Sequence, residues 1–121
     1  MIAAAATSGD VVITGAIPAH MEALSAKLLE MGVCVESEDD WIHVRSNGVF
    51  RPVNVKTQGY PGYPTDLQQP LSALLTVARG TSIVTETIFE NRFRSWTNCA
   101  RWAPTCASSK APPLSRASIS W

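Results

Sequence analysis

Apolar residues recur along the chain in two rhythms. Met21, Leu24, Leu28 and Met31 are spaced for one face of a helix that opens at Pro18 and stops at Gly32. Leu67, Leu71, Leu74, Leu75 and Ala78 repeat that spacing before Gly80. Between and around these stripes the period falls to two. Asp10 to Thr14, Val33 to Glu36, Trp41 to Val44, Pro52 to Thr57 and Thr81 to Glu86 all read as strands. Met1 to Ser8 reads as the end of a helix closed by Gly9. Strands that alternate with helices predict an α/β architecture.

An internal echo sharpens that prediction. The small apolar helix, glycine and VVIT of Ala3 to Thr14 parallel ALLTVARG followed by SIVT at Ala73 to Thr85. A period near 70 residues suggests a repeated βαβ-type unit.

The helix that starts near Leu67 is entered through GYPGYPTDLQ, Gly59 to Gln68, where two prolines and two glycines leave the backbone few conformations. Thr65 and Gln68 have the spacing of a capping box, which would hold Asp66 in the first turn. A carboxylate held in this way suits substrate binding or proton transfer. A Pro-rich turn with a dipole-complementing Asp is the plainer reading of the same residues.

At 121 residues there is chain for one ordinary domain. The apolar start, Met1 to Ala6, is too short to span a bilayer and lacks the basic start of a signal peptide. Cys34, Cys99 and Cys106 show no CxxC pairing, so neither a zinc site nor a disulfide framework is expected. Cytoplasm is the default location. Cys34 reads as a small core residue on a strand, His20 and His43 as solvated surface, and Tyr60 and Tyr63 as loop packing.

Zero net charge hides a break. All ten acids lie in residues 1–91 with five bases, whereas residues 92–121 carry the other five bases and no acid. Three of the four tryptophans also lie in that last stretch, which keeps no apolar period. A basic, aromatic nucleic-acid arm is one reading. Sequence never selected to fold is the other.

Together YPGYPTDLQ, ALLTVARGTS and TETIFENRF resemble UDP-N-acetylglucosamine enolpyruvyl transferases, and AAAATSGDVVITGAIPAHMEALSAKLLEMG is similar to the same family. The resemblance covers residues 1 to about 93. It implies a cytoplasmic enzyme that moves the enolpyruvyl group of phosphoenolpyruvate onto the 3-hydroxyl of UDP-N-acetylglucosamine, the first committed step of peptidoglycan synthesis. The fold it implies is an inside-out α/β barrel built from repeated units of two helices and a four-stranded sheet. No cofactor or metal is implied.

By match to the PTD motif, Asp66 would contact the sugar 3-hydroxyl and take its proton. By match to TETIFENRF, Ile88 would offer a main-chain contact to the nucleotide sugar, with Asn91 and Arg92 supporting the site or touching it. A helix N-terminus favours the charged carboxylate, which suits Asp66 as an orienting acceptor until substrate expels water. The family's mobile-loop cysteine and its phosphoenolpyruvate-clamping lysine and arginines match nothing here. YPGYPTDLQ with FENRF argues against the related shikimate-pathway transferase.

The resemblance also predicts a fragment. Met1 falls inside what would be a helix of a preceding unit, and relatives follow FENRF with a helix of the type DELxxMGA. Shifting the frame at Trp96-Thr97 forces Asp, at Asn98-Cys99 Leu, and at Trp102-Ala103 Gly, giving D-x-L-x-x-x-G. Residues 1–93 are therefore expected to be a partial transferase domain, and 94–121 a non-homologous, out-of-frame, disordered tail. Such a chain is expected to be inactive alone. A noncatalytic α/β interaction module and a nucleic-acid binder using the basic tail are the alternatives. The transferase reading has neither nucleic acid nor membrane as partner.

Overall fold

Trp41 to Arg45 alternates so that Ile42 and Val44 are buried while Trp41 and His43 are only partly covered. In the computed structural model, which describes residues 1–89, 92–95, 105–111 and 114–120, this strand is β3 (Trp41–Arg45). It is flanked by β1 (Asp10–Thr14) and β2 (Cys34–Glu38), both antiparallel to it. The chain passes from β1 to β2 through a 3-10 turn at Pro18–Met21 and α2 (Glu22–Glu30). β1 and β2 thus run parallel with β3 between them. Leu24 and Leu28 of α2, with Met31 beyond its end, close over the buried face as their spacing predicts.

A second sheet has the order β4-β5-β7-β6, its last two strands being β7 (Leu114–Ser120) and β6 (Thr105–Ala111). Here β4 (Val55–Lys56) and β5 (Thr81–Glu86) pair in parallel, joined through α3 (Gln68–Leu75), a βαβ unit of the predicted kind. Leu71, Leu74 and Leu75 of α3 join Val53, Val55 and Val84 in the same buried cluster as α2. The echo survives as helix, turn and strand: α1 (Ile2–Ala6) leads into β1 as α3 leads into β5.

Several expectations need correction. Ser8, at φ 53, rather than Gly9, takes the left-handed position after α1. The Gly9 amide then reaches Ala4 O at 2.8 Å, and a Cβ on Gly9 would sit 3.0 Å from that oxygen. The strand expected over Pro52 to Thr57 shrinks to Val55–Lys56. Cys34 is exposed, because it shares the outer face of β2 with Glu36 while Val35 turns inward. His43 is not simply solvated: its Nε2 pairs with Asp10, and Glu36 lies 3.7 Å from Nδ1. The Asp10 hydrogen bond raises the imidazole above its usual range, against a smaller desolvation effect that lowers it.

The expected disorder of the last stretch does not hold for the described backbone. β6 (Thr105–Ala111) and β7 (Leu114–Ser120) form a hairpin, and β7 pairs antiparallel with β5 along all six residues of β5. The β5 edge is therefore covered. No described helix is long and apolar enough to cross a membrane.

Candidate functional site

The Pro/Gly loop folds back on itself. Gly62 N donates to Gly59 O at 2.8 Å and Gln58 N to Tyr63 O at 2.9 Å. A Cβ on Gly62 would come within 2.6 Å of Gln58 Cβ, so the closed loop needs glycine there. Tyr63 is buried and its hydroxyl donates to Leu67 O at 3.1 Å; burial pushes its phenol above the usual range. Tyr60, expected to pack, is instead 85% exposed.

From this loop the chain enters a 3-10 turn at Thr65–Leu67 and then α3. The capping box is not formed. Thr65 Oγ1 donates not within its own helix but to Glu86 Oε2 at 2.8 Å, from β5. Gln68 is buried, donates to Ser72 Oγ at 3.2 Å, and leaves Oε1 without a described partner. Asp66 points outward, its side chain 88% exposed, with Arg92 Nη1 3.8 Å from Oδ1. An exposed pair at this distance contributes at most about 1 kcal/mol, so it tells more about placement than about stability. The Arg92 guanidinium also lies over the Phe89 ring, 4.6 Å from its centroid.

Glu86 is what the sequence reading missed. It ends β5 on the inward parity of Ser82 and Val84, and only 1% of it is exposed. Its Oε1 accepts from Thr57 Oγ1 at 2.7 Å, Ile88 N at 2.8 Å and Phe89 N at 3.3 Å. Burial pushes this carboxyl up. Hydrogen bonds from Thr57, Ile88, Thr65 and Phe89 outweigh that push, and it titrates below its ordinary range. Thr57 Oγ1 in turn accepts from Thr87 N at 3.0 Å, while the Thr87 hydroxyl bonds to Thr57 O. A charged residue on the core parity of an alternating strand was a readable signal.

The structure therefore brings Asp66 beside Arg92 and ties the segment of Asp66 to that of Ile88 through Glu86. Asn91 lies outside the described residues. Among the described residues no group of three His, Cys, Asp or Glu side chains is placed to hold a metal ion.

The overall arrangement matches that of the enolpyruvyl transferase NikO from Streptomyces tendae. The TM-score is 0.74 and the identity 22%, over 96% of this chain and 28% of that one. The class defined by this fold is an enolpyruvyl transferase α/β fold. Residues 1–110 match the family model described as EPSP synthase (3-phosphoshikimate 1-carboxyvinyltransferase), and the chain belongs to that family.

Within the family, the chain is 60% identical over 94 residues to a UDP-N-acetylglucosamine 1-carboxyvinyltransferase 2 of Geobacillus kaustophilus. It is 57% identical over 94 residues to UDP-N-acetylglucosamine 1-carboxyvinyltransferase 3 of Caldanaerobacter subterraneus. To UDP-N-acetylglucosamine 1-carboxyvinyltransferase 2 of Bacillus subtilis it is 54% identical over 95 residues. In each case the alignment takes in 78% of this chain and 22% of the relative, so the chain spans about a fifth of their length.

Proposed function

We propose that this chain carries part of the sugar-nucleotide site of a UDP-N-acetylglucosamine 1-carboxyvinyltransferase. The observation that carries the reading is the exposed Asp66 carboxylate, 3.8 Å from Arg92, whose guanidinium also lies over the Phe89 ring beside Ile88. The identity to relatives of that name supports it. In the reaction, the sugar 3-hydroxyl oxygen bonds to C2 of phosphoenolpyruvate, phosphate leaves, and the hydroxyl proton is released. Asp66 orients that hydroxyl and accepts its proton. Ile88 presents main-chain groups to the nucleotide sugar, and Arg92, with Asn91 beside it, balances the carboxylate. Groups that bind phosphoenolpyruvate come from the part of such enzymes that this chain does not match. A cytoplasmic location goes with these substrates.

The test is a titration of UDP-N-acetylglucosamine into the 121-residue chain. A charge-assisted hydrogen bond contributes about 1.5–3 kcal/mol, so Asp66→Ala should weaken binding by roughly tenfold or more. Because the side chain is 88% exposed, melting should scarcely change. Equal affinity of the two chains would remove Asp66 from the site.

A further inference from the structure

Among the described residues Glu86 is the one buried acid or base, the other buried polar groups being hydroxyls and an amide. Burying a carboxylate is costly unless its oxygens are hydrogen-bonded, so a strand end needs a reason to carry one. The reason lies in how its two oxygens are shared out. One receives the amides that open the Ile88–Phe89 turn and the hydroxyl of Thr57; the other receives the hydroxyl of Thr65, next to Asp66. Beyond the turn, Arg92 stacks on Phe89 and reaches back to Asp66 at 3.8 Å. The ring Asp66, Thr65, Glu86, Phe89, Arg92 is thereby closed.

We propose that Glu86 is a positioning residue that fixes the spacing between the Asp66 carboxylate and the Ile88 main chain. What that spacing serves rests on the functional reading above: these are the two contacts assigned to one nucleotide sugar. The carboxylate suits the task because both of its oxygens accept, one from each side. Glutamine keeps one acceptor and turns the other into a donor, which the Thr65 hydroxyl can meet by rotating, without charge assistance. Aspartate is shorter by one carbon–carbon bond, about 1.5 Å, and reaches one side only.

Thr65→Val tests the link, because it removes the bond to Glu86 Oε2 and keeps the branched shape. Three readouts apply to the full chain: melting temperature, the amide resonances of Ile88 and Phe89, and Kd for UDP-N-acetylglucosamine. Thr65→Val should shift both amides although it touches neither, and weaken Kd by about tenfold, with melting lowered only a few degrees. In the Glu86→Gln chain the same change should weaken Kd less than about threefold, since coupled sites are not additive.

Lowered melting with unmoved amides and unchanged Kd would make Glu86 a purely structural residue and overturn the proposal. So would effects of the two substitutions that multiply independently. Should the unmodified chain have no affinity for the nucleotide sugar, the functional reading fails, and the amides alone decide on Glu86. Coupled shifts retain it as the tie between the two segments; independent ones remove it.

Discussion

Glu86→Ala is expected to lower the stability of this chain by about 3 kcal/mol. The amides of Ile88 and Phe89 lose their acceptor, and a stranded, partly buried donor costs about 1–3 kcal/mol. The emptied volume adds about 1–2 kcal/mol. Relief from burying a charge offsets part of the loss. For a domain of this size the melting temperature should fall by roughly 10–20 °C. The sign of the pH dependence is fixed as well. A carboxyl whose folded pKa is depressed stabilises above its unfolded pKa, and that contribution is lost as pH falls through the folded value. Acid should therefore narrow the gap between the unmodified and Glu86→Ala chains. Urea midpoints measured across the acid range check both points; a constant gap would show that Glu86 is not ionised in the fold.

Leu71→Ala should cost about as much, some 2–5 kcal/mol, for a different reason. Leu71 lies on the inner face of α3, 1% exposed, between the 3-10 turn that carries Asp66 and Thr76, the residue that ends the helix. Removing its branched end leaves a cavity that the surrounding Leu74, Leu75 and Val84 refill only in part. Leu29→Ala, at a side chain 50% exposed on α2, serves as the comparison and should stay within about 0.5 kcal/mol. A urea midpoint for Leu71→Ala that matched the Leu29→Ala chain would contradict the packing of α3 described here.

The contrast between these two positions also shows what a sequence can reveal. Leu71 was legible because helical periodicity is local: its neighbours at three and four residues mark the buried stripe without knowledge of the partner. Gly62 and the prolines around it marked a stiff loop for a similarly local reason. Thr65 misled because a capping box is a local rule, and the hydroxyl is taken by Glu86, 21 residues on. Strand parity was readable at Cys34, where the charge of Glu36 two residues later already marks the outer face. The pairing of His43 with Asp10 was not, because it follows from β1 lying beside β3.

Asp66 was singled out by its loop and Ile88 and Arg92 were suggested by a resemblance of motifs, whereas their spatial relation came only with the fold. In residues 105–120 the pattern offers no strand signal of its own; pairing with β5 supplies what periodicity lacks.

The most direct test is a nitrogen-15 NMR titration of the unmodified chain with UDP-N-acetylglucosamine, run in parallel with 3-phosphoshikimate. Binding in the millimolar range, about −4 kcal/mol, should perturb the amides of Asp66, Ile88 and Arg92 with the nucleotide sugar alone. Perturbation of those amides by 3-phosphoshikimate instead, or by neither ligand, would contradict the assignment of this surface to a nucleotide sugar.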